Sequence, residues 1–158
     1  MRLFCIAALL LATTAAQAAT DEATERAAIV AAVQKLFDAM ATADGDLAAE
    51  VLIPEGRLII VTESEEGVAF RAWDHADFIT TVASGENVLV ERMWDPEVEL
   101  DGPVATFRAR YDFYRDGTYS HCGVDLFTMV RADEGWRISG GSFTRDTGIC
   151  PDNPLPPL

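Results

Sequence analysis

The first half of the chain has hydrophobic residues at helical spacing. Over residues 22–42 they recur three and four positions apart, which predicts an amphipathic helix. Asp44-Gly45-Asp46 ends this helix, and Asp46 is a candidate cap for a short second helix through Leu52. The predicted buried stripe of the first helix consists of Ile29, Val33, Leu36, Phe37 and Met40.

The second half has the composition of β-strands. Two short strands, at residues 57–63 and 68–73, precede a third helix at residues 74–82. Asp101-Gly102 and Asp116-Gly117 are strong signals for two-residue hairpin turns, so an antiparallel meander is expected. Pro96 predicts an edge or a bulge in its first strand. The four meander strands are predicted at residues 88–100, 103–115, 118–131 and 135–148.

The chain begins with the features of a secretory signal peptide. A basic residue precedes an apolar run at residues 3–12, and Ala16-Gln17-Ala18 has the pattern of a cleavage site. The run is too short to span a bilayer. We predict a signal peptide at residues 1–18, a domain at residues 19–150 and a proline-rich tail at residues 151–158. The protein is expected to be periplasmic or secreted, without a membrane anchor.

The composition is strongly acidic and limits the classes of partner. The chain has 26 acidic and 12 basic residues, for a net charge of −14. Nucleic acids and anionic membranes are bound by clusters of lysine and arginine, and the sequence has no basic run. No nucleic-acid partner is therefore expected.

Two cysteines, Cys122 and Cys150, remain after removal of the predicted signal peptide. In an oxidising compartment such a pair usually forms a disulfide, which here requires a bulge in the last strand or a turn after Gly148. His121 and Cys122 point to opposite faces of a strand, so they do not form a nucleophile–base pair. With two histidines and no H-x-H or H-x₃-H spacing, we predict no metal site and no cofactor.

The order of elements, with YDFYRDG at 111–117, SHCGVDLFTMVR at 120–131 and GWRI at 135–138, resembles the nuclear transport factor 2-like superfamily. Within it, residues 24–150 are similar to SnoaL-like and lumazine-binding bacterial proteins. The resemblance implies an α+β cone, in which a curved antiparallel sheet wraps N-terminal helices around a ligand pocket, and often a homodimer. The superfamily includes isomerases, dehydratases, cyclases and non-catalytic binding domains, so it does not fix an activity.

Hairpin geometry predicts which residues share a face of the sheet. A two-residue turn at Asp116-Gly117 places His121 opposite Asp112, and the next hairpin places His121 opposite Asp146. Flanking carboxylates would favour the charged form of the imidazole, as suits a general acid or base. The structural alternative is a polar network that fixes strand register. A single bulge would exchange the two faces.

The face that carries His121 is the predicted wall of the pocket. An apolar floor with a few polar groups is typical of ligand sites. The candidate ligand contacts are Arg108, Arg110, Asp125, Phe127, Met129 and Trp136, with Trp73 as a further ring. The opposite face is predicted to carry Phe107, Ala109, Tyr111, Phe113, Cys122, Val124, Leu126 and Phe143. Tyr111 reaches the pocket only if a bulge turns it there. Both faces are rich in apolar residues, which favours dimerisation.

Three functions are consistent with these features. The first is an exported domain that binds a small apolar or aromatic molecule in its cone. The second is a proton-transfer enzyme of the isomerase, dehydratase or cyclase type, in which His121 acts with Asp112 or Asp146 and Arg110 stabilises negative charge. The third is a dimeric protein-interaction module.

Overall fold

The computed structural model describes residues 5–148, 150 and 152–158, with side chains described from residue 21 onward. The predicted signal peptide therefore lies outside the residues whose side chains are described. Among the described residues, no helix is both long enough and apolar enough to cross a membrane. In chain order the elements are α1 (Cys5–Thr42), α2 (Gly45–Val51), β1 (Arg57–Ser64), β2 (Gly67–Asp74), α3 (His75–Ser84), β3 (Leu89–Asp101), β4 (Val104–Arg115), β5 (Thr118–Ala132) and β6 (Gly135–Thr144).

The six strands form one sheet in the order β2-β1-β6-β5-β4-β3. The predicted meander is β3 to β6, and all its neighbours are antiparallel. β1 runs parallel to β6, so the β1–β2 hairpin extends the meander into a wider sheet. The helices lie against one face, which confirms the α+β cone.

Turn chemistry sets the hairpins. Asp116 and Gly117 have φ angles of 52° and 75°, the left-handed values that a two-residue hairpin turn needs, so the predicted turn is confirmed. In β3 the register shifts between Trp94 and Glu97, which confirms the bulge predicted at Pro96. The N-cap predicted for α2, Asp46, was wrong by two residues. Asp44 is its N-cap, because its carboxylate accepts a hydrogen bond of 2.9 Å from the Leu47 amide.

The predicted stripe of α1 packs on the concave face of the sheet. Its five apolar residues are at most 3% exposed. Glu25 of α1 accepts a hydrogen bond of 2.7 Å from the indole of Trp136 on β6 and pairs with Arg131 on β5. These contacts hold α1 at Glu25 against the end of the sheet near the β5–β6 turn. The opposite end of the concave face, lined by residues of β1, β2 and α3, forms a cavity.

Candidate ligand-binding site

A cavity of about 450 Å³ lies between the concave face and the helices. This volume falls within the range of small-molecule sites, roughly 300–1,000 Å³. Most of its wall is apolar, and Trp73 and Phe78 meet edge to face there with ring centroids 4.9 Å apart. The apolar and aromatic lining includes Leu36, Phe37, Met40, Leu58, Ile60, Trp73, Phe78, Leu89, Phe113, Phe127 and Phe143.

A bulge at Ser120 sets the register between β4 and β5. Tyr114 pairs with Tyr119 as predicted, but Phe113 then pairs with His121. The extra residue shifts every later pair by one position. The prediction that His121 lies opposite Asp112 was therefore wrong.

A second irregularity, at Ser139, shifts the register between β5 and β6. Met129 pairs with Ile138, whereas Thr128 pairs with Gly140. Asp146 consequently forms its bridge with Cys122, not with His121. The two bulges act together, so His121 has neither predicted carboxylate opposite it.

The bulges divide the predicted site between the two faces. His121 and Asp125 stay on the concave face and line the cavity, and Tyr111 joins them there. Asp112 and Asp146 lie on the outer face with Cys122. The concave face also gains Phe107, Ala109, Phe113 and Phe143, all predicted for the other side.

The predicted ligand contacts separate in the same way. Phe127 and Trp73 line the cavity. Met129 and Trp136 lie on the same face but are buried in the core beyond it. Arg108 and Arg110 are on the outer face, opposite Leu126 and Val124. Arg108 there pairs with Glu97 at 3.0 Å.

His121 lies among aromatic rings. Phe113 stacks on it with centroids 4.7 Å apart, Tyr111 meets it edge to face, and its Nδ1 is 3.0 Å from Ser120 Oγ. Burial, together with the positive charges of Arg145 and Arg115, lowers the pKa of His121 to about 4. The charged form predicted from flanking carboxylates was wrong, because no such carboxylate flanks it and the imidazole is neutral at pH 7.

The sequence analysis named Asp125 as a candidate ligand contact but missed Glu91, its acidic neighbour on the concave face. Glu91 of β3 and Asp125 of β5 share a hydrogen bond, and both line the cavity. Burial raises the pKa of Asp125 to about 7. Burial, and then the charge of Asp125, raise the pKa of Glu91 well above its ordinary value. The pair therefore retains a proton near neutral pH.

Tyr111 lies beside this acidic pair. Its hydroxyl donates a hydrogen bond of 2.8 Å to the Thr144 carbonyl. Burial, with the negative charges of Glu91 and Asp125, raises the pKa of Tyr111. The phenol therefore stays neutral, and its proton is used in the hydrogen bond to the Thr144 carbonyl.

The outer face carries a separate cluster, centred on Asp112. Arg92 of β3 binds both oxygens of this carboxylate, with Nε 2.9 Å from Oδ1, and Asn153 donates to Oδ2 at 2.8 Å. Arg92 also donates to the Pro156 carbonyl at 2.8 Å. The tail therefore packs across the outer face, instead of extending freely from the domain.

The predicted disulfide is confirmed and anchors the same tail. Cys122 and Cys150 are bonded, with Cα atoms 6.0 Å apart. The chain turns at Gly148, whose amide donates to Asp146 Oδ1 at 2.8 Å. That turn is the fold-back that the pairing required.

Solved structures share this fold at low sequence identity. An NTF2-like protein with a cystatin-like fold from Novosphingobium aromaticivorans has a TM-score of 0.66 at 18% identity, covering 86% of this chain and 91% of that chain. A protein of unknown function from Mycobacterium tuberculosis has a TM-score of 0.65 at 18% identity, covering 81% and 75%. A "putative dehydratase" of the NTF2-like family from Streptomyces avermitilis has a TM-score of 0.60 at 12% identity, covering 80% and 99%. At these identities the likeness shows the fold alone.

A sequence comparison identifies the family. The search of curated proteins gives no match. The family model described as "Putative lumazine-binding" matches residues 24–144, most of the chain. The chain therefore belongs to this family, and it has the fold of the NTF2-like structures.

Proposed function

We propose that the protein binds a small, mainly apolar, ring-containing molecule in the cavity of its cone. The observation that carries this proposal is the cavity of about 450 Å³, with aromatic walls and a few polar groups. Such a composition is what small-molecule sites require, since apolar contact supplies affinity and a few polar groups supply orientation. Trp73, Phe78 and Phe127 are the proposed ring contacts.

Proton transfer by His121 with Asp112 or Asp146 is not part of this proposal. The sheet separates His121 from both carboxylates, and the low pKa of His121 makes it a weak base. Ligand contacts by Arg108 and Arg110 are likewise set aside, because they lie on the outer face.

Binding is tested with N-phenyl-1-naphthylamine, a neutral aromatic probe that fluoresces in apolar sites. We expect saturable binding to the purified protein. Ile60→Trp fills part of the cavity and should weaken binding about tenfold or more, whereas Val61→Trp, on the next residue of β1, points to the outer face and should not. Circular dichroism checks that both variants fold. Equal binding by both variants, or no binding by the wild type, would refute the proposal.

We further propose that the protein is exported after cleavage behind Ala18. The Cys122–Cys150 disulfide supports this, because disulfides persist in oxidising compartments. The test is expression of the full chain in a bacterium and mass measurement of the periplasmic product. We expect a chain that starts at Ala19 and is two hydrogens lighter than the dithiol form. An uncleaved or cytoplasmic product would refute export.

We also propose a homodimer that uses the outer face of β1, β2 and β5. Val68, Phe70 and Leu126 expose 66%, 79% and 49% of their surface there, and exposed apolar patches of this kind often mark interaction sites. Analytical ultracentrifugation should show a dimer that Phe70→Glu dissociates. Val88→Glu, at another exposed apolar residue outside this patch, should leave the dimer intact. A monomeric wild type would overturn this.

A further inference from the structure

Asp125 is buried without a hydrogen-bond donor for one of its oxygens. It is 1% exposed, and its Oδ2 has no partner among the described residues. A buried acceptor left unpaired costs about 1–3 kcal/mol, so such groups in native structures need an explanation. Because Asp125 also lines the cavity, a donor on a bound molecule can complete it.

The neighbours of Asp125 do not supply that donor. Tyr111 gives its hydroxyl proton to the Thr144 carbonyl. Glu91 is a second acid, and the proton that the pair retains lies in the hydrogen bond between Glu91 and Asp125. The remaining oxygens of the pair are therefore acceptors.

We propose that Glu91 and Asp125 form the recognition point of the cavity for a hydrogen-bond donor on the ligand, such as a phenolic hydroxyl or an amide or ring N–H. This inference rests on the proposed function, since it assumes that the cavity binds ligands. The apolar wall holds the ring, and the acidic pair selects its polar substituent. A carboxylate oxygen is disfavoured at this point of the cavity, because it would face two acidic side chains.

The test compares two ligands of similar size, 2-naphthol and 2-methoxynaphthalene. Only the first has a donor. A hydrogen bond to a charged group is worth about 1.5–3 kcal/mol, so we expect 2-naphthol to bind the wild type roughly ten- to a hundredfold more tightly in isothermal titration calorimetry at pH 7.

Variants locate the effect. Asp125→Leu removes the acceptors, and we expect it to lose the preference for 2-naphthol while it still binds 2-methoxynaphthalene. Glu91→Met is a second variant in case the first does not fold, and it should reduce the same preference. Thr81→Val, at a polar residue of the cavity wall outside the pair, is the matched control and should keep it.

The outcomes separate this inference from the proposed function. Equal binding of both ligands to the wild type overturns donor recognition but leaves the cavity as a binding site. A preference that persists in both Asp125→Leu and Glu91→Met also overturns it, because the donor then binds elsewhere. If neither ligand binds, both proposals fail.

Discussion

Asp112 and Asp125 are buried to the same extent on opposite faces of one sheet, at 0% and 1% exposure. Asp112, on the outer face, receives hydrogen bonds from Arg92 and Asn153. Asp125, on the concave face, has an acidic neighbour, Glu91, and an oxygen without a partner among the described residues. The first carboxylate is neutralised by the protein, and the second is not.

This difference separates a structural acid from a candidate recognition group. A buried charge with complete partners contributes order, whereas one with incomplete partners lowers stability and is retained where a ligand can use it. On the outer face, the partners of Asp112 also hold the tail. On the concave face, the incomplete pair adjoins a cavity of ligand size.

The largest expected effect comes from Asp112→Ala. Removing one member of a buried pair leaves Arg92 without its carboxylate and releases Asn153, so we expect the free energy of unfolding to fall by about 3–5 kcal/mol. Urea denaturation measures this loss. Asp133→Ala, in an exposed turn, is the control and should change it by less than about 0.5 kcal/mol. A loss below about 1 kcal/mol for Asp112→Ala would contradict the structural role.

Removing the disulfide should cause the second-largest loss in the free energy of unfolding. The bond joins residues 28 positions apart, and a loop of this length is worth about 3–4 kcal/mol in the chain-entropy model. The double variant Cys122→Ser, Cys150→Ser should lose this much stability and expose the tail to proteolysis. It should still bind N-phenyl-1-naphthylamine, since the bond lies on the outer face. If the folded variant no longer bound the probe, the outer-face disulfide would affect the cavity, which would contradict the separate roles of the two faces.

Asp125→Asn should raise the free energy of unfolding, whereas Asp112→Ala should lower it. Because burial raises the pKa of Asp125 from 3.8 to about 7, its contribution to stability is fully present below pH 3.8 and is lost as the pH rises through 7. At pH 8 the amide avoids this penalty, and we expect a gain on the order of 2–4 kcal/mol relative to the wild type. Urea denaturation at pH 5 and pH 8 measures it. A variant less stable than the wild type at pH 8 would show that Asp125 is a satisfied structural residue.

The sequence predicted the elements better than it predicted the faces. Helical spacing placed the stripe of α1, and Asp116-Gly117 placed the β4–β5 turn, because each depends on local backbone preferences. The bulges at Ser120 and Ser139 have no comparable local signal, and a shift of one residue reverses a face. The alternation of side chains along β3 would have shown which residues share a face with Glu91. Only the register across β3, β4 and β5 shows that Glu91 lies beside Asp125.

The smallest expected effect concerns His121, which lines the same cavity as Asp125. Burial lowers its pKa from 6.5 to about 4, so its contribution to stability is fully present above pH 6.5 and is lost as the pH falls through 4. His121→Gln removes this contribution. Solvent that reaches the ring through the cavity reduces the effect. Between pH 7 and pH 4 we expect the free energy of unfolding of the variant to fall by about 1–2 kcal/mol less than that of the wild type.

Urea denaturation at these two pH values measures the difference. His75→Gln is the comparison, because burial lowers the pKa of His75 as well, although it faces the Ile53 carbonyl and does not line the cavity. A saturating neutral probe excludes water from His121 but not from His75. The probe should therefore stabilise the wild type less at pH 4 than at pH 7, and this pH dependence should disappear in His121→Gln but persist in His75→Gln. If it persists in both variants, His121 does not contact the ligand.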